Sequence, residues 1–265
     1  MYSKPIFFGA NLYGISIAVG ILACFLVLFS YCKIKKFDEG FVDFTFYNGI
    51  VAIGLGFLMA QVMHTFYIYL ATGEFDFPTG FSFLGGLLGG VISFIAGYLI
   101  FRKKLTRSIF DLTPIATCCI LIAHAFGRIG CFFAGCCHGK ETDSIFGVTF
   151  PGMSNPVHPT QLYESAFLFV LFIIFSILYL KRNDKYIISH YLISYGVFRF
   201  FIEFIRDDNK GQFIGDITPS QTWAIVMVVL GIALYFIIHY MYKHVIKNKA
   251  QTPTEESVSK LDTNE

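Results

Sequence analysis

The chain has 265 residues, of which 55% are hydrophobic, 18% aromatic and only 14% charged, with a formal net charge of +2. Soluble domains carry about 25% charged residues, so this composition excludes an ordinary water-soluble fold and calls for a membrane as solvent. No basic stripe, zinc-finger spacing or long basic arm is present, which argues against nucleic acid as a partner.

Seven apolar stretches follow in chain order: Phe7–Tyr31, Phe44–Leu70, Gly80–Phe101, Asp111–Phe133, Thr160–Leu180, Ile187–Ile205 and Pro219–Tyr242. Each approaches or exceeds the ~20 residues a helix needs to cross a hydrocarbon core. The first contains Ile21-Leu22-Ala23-Cys24, loosely like a lipobox. Its apolar run continues past Cys24, however, and only Lys4 precedes it as a basic residue, so a retained helix is expected. After residue 243 the chain turns polar (KNKAQTPTEESVSKLDTNE). The expected organisation is one membrane domain over residues 1–243 and a disordered tail over 244–265.

Basic residues alternate between loops. Lys33, Lys35 and Lys36 follow the first stretch, and Arg102, Lys103, Lys104 and Arg107 follow the third. Lys181, Arg182 and Lys185 follow the fifth, and Lys243, Lys247 and Lys249 follow the seventh. The other loops are acidic, with Glu74, Asp76, Glu141, Asp143, Asp207, Asp208 and Asp216. Short basic loops stay cytoplasmic. The predicted fold is therefore an all-α integral membrane protein of seven transmembrane helices, N-terminus outside and C-terminus cytoplasmic.

That orientation sets the ionisable residues at one level. His124, Arg128 and Cys131 fall toward the outer end of the fourth span, and Arg199, Glu203 and Arg206 toward the outer end of the sixth. Tyr13, Gly85, Gly86, His158, Gln161, Tyr163 and Glu164 lie at the same level. Ionisable groups at membrane depth are costly and normally face a cavity or a partner. Arg199 and Glu203 are four apart, hence on one helical face and able to pair. His124 lies one turn before Arg128 on a shared face. His64 and His190 have no such company and are read as structural.

Five segments carry a resemblance: Leu12-Tyr13-Gly14, Ser82-Phe83-Leu84-Gly85-Gly86-Leu87, Gly127-Arg128-Ile129-Gly130-Cys131-Phe132, His158-Pro159-Thr160-Gln161-Leu162-Tyr163-Glu164, and the run from Tyr195-Gly196 through Arg199 and Glu203 to Arg206. In this order they resemble the motifs of the prolipoprotein diacylglyceryl transferases, over nearly the whole chain. The resemblance implies transfer of the diacylglyceryl group of phosphatidylglycerol to the lipobox cysteine of a prolipoprotein signal peptide, in a bacterial inner membrane, at the outer leaflet. Glycerol phosphate leaves and a thioether forms. Neither a cofactor nor a resident metal is expected. Capture of an anionic headgroup suits Arg128 and Arg199, whose planar donor forks match phosphate oxygens, with Glu203 orienting an arginine and His124 beside them. Tyr13, His158, Gln161, Tyr163, Glu164 and Arg206 would shape the substrate site. The Gly85-Gly86 pair allows backbone to approach a ligand or another helix.

The chain also departs from the family pattern. Leu84 stands where a histidine is expected, Cys131 where an asparagine is expected, and Ala134-Gly135-Cys136 where the family reads N-G-E. The base and hydrogen bonds of those residues are absent from these positions. In their place is a cluster, Cys131, Cys136, Cys137 and His138, with His124 upstream. Four readings stay open for it: a nucleophile with a histidine base, a metal site, a disulfide or redox couple, and small side chains packing a helix end. An alternative function follows, a non-transferase membrane thiol protein working through Cys131–His138. Cys24, Cys32, Cys118 and Cys119 are read as small packing residues.

Overall fold

The first helix, α1 (Leu12–Ile34), is followed by α2 (Glu39–Thr72), α3 (Phe83–Phe101), α4 (Ile109–Ala134), α5 (Thr160–Arg182), α6 (Ile187–Ile202) and α7 (Pro219–Gln251). The computed structural model describes residues 11–73, 82–207 and 217–251. The acidic loop positions Glu74, Asp76, Asp208 and Asp216 and the tail after Gln251 lie outside the described residues. Six of the described helices are long and apolar enough to cross a membrane. Their outward faces stay apolar, as with Leu22, Ile100 and Phe236, which are 60%, 74% and 65% exposed. Side chains of that kind suit lipid contact, because hydrocarbon does not penalise an exposed apolar face.

The sixth helix differs from its expected span. Its α-helical part covers 16 residues, about 24 Å at 1.5 Å per residue. It then tightens into a 3₁₀ turn at Glu203–Ile205, with the Arg206 N–H donating to the Glu203 carbonyl at 3.2 Å. At the other end of the chain, α7 continues as helix past residue 243, the boundary expected for the tail.

The described chain divides into two compact units. One comprises the chain up to Cys24 together with everything from Ala116 onward, and the other spans Phe25–Ile115. In the second unit α2 packs against α3. Asp38 starts α2 by accepting from the Phe41 N–H at 2.9 Å, and Gly73 stops it in a left-handed turn, φ 75°. The Thr106 hydroxyl donates to Asp38, and this bond, with the Phe41 amide and Arg107, holds the Asp38 carboxyl below its ordinary value. The α2–α3 seam has almost no side chain on the α3 side. A Cβ on Gly89 would stand 2.5 Å from Met59 Cβ, and one on Gly85 would stand 2.6 Å from Met63 Cβ. Small residues let two backbones approach closely where lipid supplies no hydrophobic drive between helices. Gly89→Ala therefore overpacks the seam and lowers stability by about 1–3 kcal/mol. Unfolding in detergent micelles measures this, and a variant as stable as the parent would show the seam to be loose.

In the first unit α6 lies along α7 and α5. A Cβ on Gly196 would meet the Ala224 carbonyl at 2.8 Å, so only glycine admits α7 there. The start of α1 follows α4: a Cβ on Gly20 would stand 3.0 Å from Phe126 Cβ, and the Cys119 thiol donates to the Cys24 carbonyl at 3.3 Å. The segment between α4 and α5 is non-helical and held by isolated antiparallel bridges, Gly139 with Arg206 and Val148 with Val157. The Lys140 N–H donates to the Ile205 carbonyl and the Gly139 N–H to the His158 carbonyl, both at 2.8 Å. These bonds tie the ends of α4, α5 and α6 together at one end of the unit.

Candidate functional site

Glu164, one turn into α5, is fully buried. A lone carboxylate there is untenable, and five neighbours surround it, three of them guanidiniums. Arg128 Nε from α4 lies 2.9 Å from Oε1, an ion contact whose N–H is not aimed along a hydrogen bond. His124 Nε2, one turn earlier, lies 3.6 Å from the same oxygen. Arg199 and Arg206 each place Nη1 3.9 Å from Oε2. The Tyr195 hydroxyl on α6 donates to Oε1 at 2.5 Å.

A second carboxylate, Glu203, extends the cluster. Arg199 Nη2 lies 3.0 Å from Glu203 Oε2, the pairing expected from their four-residue spacing, and Arg206 Nε lies 3.6 Å from it. Helix α7 supports the pair. The Thr218 hydroxyl donates to Glu203 Oε1 at 3.2 Å, and Arg199 Nη2 donates to the Ser220 hydroxyl at 3.2 Å. Three guanidiniums thus face two carboxylates. With His124 neutral, the buried cluster holds one net positive charge. Arg199 Nη1 and Glu164 Oε2 are buried and make no hydrogen bond among the described residues. The Arg199 Nη1 donor, held in place with bonding capacity unused, suits a site that receives an anion.

Other expected site residues fall into different places. Gln161 and its neighbour Thr160 are fully buried and face the loop after α4. Gln161 Nε2 donates to the Cys136 carbonyl, and the Thr160 hydroxyl donates to the Cys137 carbonyl at 2.8 Å. Gln161 is thus a clamp on backbone. His158 Nδ1 lies 3.3 Å from the Tyr163 hydroxyl, at the rim before α5. Tyr13, 41% exposed, packs across Gly130 of α4. Gly85 and Gly86 belong to the other unit, where both face α2, and helix packing accounts for them there. Thr218 and Ser220 lie outside the motifs read from the sequence, and Tyr195 and Thr160 stand within them without an assigned role. Tyr195 carries a signal, since it lies one turn before Arg199 on the same face.

All seven cysteines are unbridged thiols. Cys32, Cys118 and Cys119 are buried, as expected of packing residues. The Sγ atoms of Cys131, Cys136 and Cys137 come together within 4.8 Å of one another. His138 does not join them among the described residues. Its Nδ1 lies 3.2 Å from the Gly139 carbonyl and its ring lies against Phe150. Hydrogen bonds from Cys131 and Cys136 hold the Cys137 thiol below its ordinary value, and the guanidiniums of Arg206 and Arg128 add to this.

The family model for prolipoprotein diacylglyceryl transferase matches residues 5–237. The chain belongs to the prolipoprotein diacylglyceryl transferase family. Among its relatives, the phosphatidylglycerol–prolipoprotein diacylglyceryl transferase of Clostridium tetani is 33% identical over 246 residues, covering 88% of this chain and 96% of that protein. A second enzyme of that description, from Clostridium perfringens, is 31% identical, covering 84% and 89%. The one from Francisella tularensis subsp. novicida is 32% identical, covering 83% and 85%. The arginine–carboxylate cluster is built from the segments that suggested this family in the sequence.

Proposed function

We propose that this protein transfers the diacylglyceryl group of phosphatidylglycerol to the lipobox cysteine of a prolipoprotein signal peptide. It acts as a seven-span enzyme of the bacterial inner membrane, with α6 and its 3₁₀ turn as the sixth span. The alternating basic loops support an outside N-terminus, a cytoplasmic C-terminus and a site toward the outer leaflet.

The observation that carries this reading is the surplus guanidinium in a buried cluster. Three arginines against two carboxylates leave room for one anion, and a lipid phosphate supplies it. In the reaction the acceptor thiolate forms a bond to the glyceryl carbon as the carbon–oxygen bond to phosphate breaks. The electron pair leaves with glycerol phosphate, whose charge rises as the bond lengthens. Fixed donors aimed at that oxygen stabilise this state more than the ground state. Arg128 and Arg199 take that role. Glu164, Glu203 and Tyr195 hold them in place, and His124 sits against Glu164. His158 and Tyr163 line the approach.

The experiment uses purified protein in phosphatidylglycerol-containing micelles with a lipobox peptide, following peptide mass and released glycerol phosphate. A diacylglyceryl adduct that disappears with Arg199→Ala is the expected result. No adduct from a folded protein would remove the reading. The alternative, a thiol protein without transferase activity, predicts the reverse ranking: indifference to both arginines and sensitivity to thiol reagents. Family membership favours the transferase.

A further inference from the structure

The headgroup chemistry makes no use of Cys131, Cys136 and Cys137, yet the local backbone is arranged to bring them together. The chain leaves α4 at Ala134, turns at Gly135 with φ 71°, and returns the Cys136 N–H to the Cys131 carbonyl at 3.2 Å. Cys137 then takes φ 63°, a conformation L side chains rarely adopt. The carbonyls of both adjacent cysteines are clamped by Gln161 and Thr160, themselves fully buried. The outcome is three sulfurs within 4.8 Å of one another. A disulfide joins two sulfurs and leaves the third over, whereas a metal ion uses all three. Zinc–sulfur bonds of about 2.3 Å place tetrahedral ligands about 3.8 Å apart, inside the observed limit. Among the described residues no fourth protein ligand joins the group, and Cys136 is exposed. Three protein ligands and one open position are the arrangement of a site that receives an outside ligand.

We infer that Cys131, Cys136 and Cys137 form a three-thiolate site for a zinc-class divalent ion, and that its open position takes the acceptor cysteine's thiol. This differs from the sequence expectation of no resident metal. The second half rests on the transferase reading, and the first does not. Binding the ion displaces one proton from each protein thiol to water, and the acceptor thiol loses its proton the same way on coordination. That sulfur then forms the thioether as glycerol phosphate departs with the electron pair. No oxidant or reductant is involved. The ion thereby supplies activation of the acceptor, in a chain whose sequence has Leu84 where the family histidine is expected.

The test uses the reduced full-length protein in detergent. Dialysis against Zn²⁺ should leave one ion per chain and protect these three thiols from alkylation, read by mass spectrometry on the unaltered protein. Cys131→Ser, Cys136→Ser and Cys137→Ser should each lose the ion, and Cys32→Ser should keep it. With Co²⁺ in place of zinc, a lipobox peptide should strengthen the thiolate-to-cobalt absorbance, and its Cys→Ser version should not. No zinc uptake and no protection overturns the site. The same holds if two of the three thiols are recovered only as a disulfide and the reduced protein binds nothing. Zinc uptake without a peptide response, or equal transfer by chelator-stripped and loaded protein, overturns the acceptor role alone. Absence of transfer from both forms counts against the transferase reading, while uptake and absorbance still decide the site.

Discussion

Glu164→Ala lowers the stability of the folded protein by about 3–5 kcal/mol, the cost of leaving buried charge without its partner. The carboxylate is fully buried and is the shared counter-ion of Arg128, Arg199 and Arg206, with His124 alongside. Without it, Glu203 is the one carboxylate left in the cluster, and Arg128 has no acidic partner among those ion pairs. Glu164→Gln is milder, because its amide oxygen still accepts from the Tyr195 hydroxyl. The order of stability should be parent, then glutamine, then alanine, read from thermal unfolding in micelles. If alanine unfolds with the parent, Glu164 is not the counter-ion that holds the cluster.

The second large effect is on turnover. Arg199→Ala should lower the rate of glycerol phosphate release by about 10²–10³-fold, the usual loss when one donor to a developing oxyanion is removed. The fold should survive, since Glu203 keeps Arg206 and Thr218 as partners. Arg199→Lys should recover little of the rate. An ammonium carries the charge, but its single nitrogen cannot hold Glu203 and Ser220 as Nη2 does and also present a second donor, as Nη1 does on the Glu164 side. A lysine variant with parental rate would show that charge alone suffices at this position. An alanine variant within tenfold of the parent would remove Arg199 from the reaction.

Within one helix, much of this site is readable from spacing. Arg199 and Glu203 pair as their four-residue separation implies, and His124 and Arg128 share a face as expected. What joins helices is not readable, because periodicity says which residues share a face and not which face meets which. Spacing sets Glu164 among the residues shaping the site, and the structure adds that α4, α5 and α6 converge on it. Gln161 illustrates the same limit, since its partner is a backbone carbonyl in a loop. The apolar run of α6 hid the change from α-helix to 3₁₀ turn at Glu203, because both windings bury similar side chains. The three-thiol convergence depends on a left-handed residue at Cys137, which the spacing of the cysteines does not reveal. The Gly85-Gly86 pair was ambiguous between ligand approach and packing, and Met59, Ala60 and Met63 account for the packing.

The contributors to the charge cluster also come from consecutive helices in order, and this bears on how the protein is made. Arg128 leaves the ribosome on α4 well before its counter-ion on α5. Until Glu164 arrives, α4 carries an unanswered cation toward the bilayer, a penalty of up to about 3 kcal/mol at helix centre. Insertion of α4 is therefore incomplete as a unit of biogenesis. On this ordering α4 is expected to insert stably only once α5 follows, with Arg199 and Arg206 entering later against a carboxylate already in position.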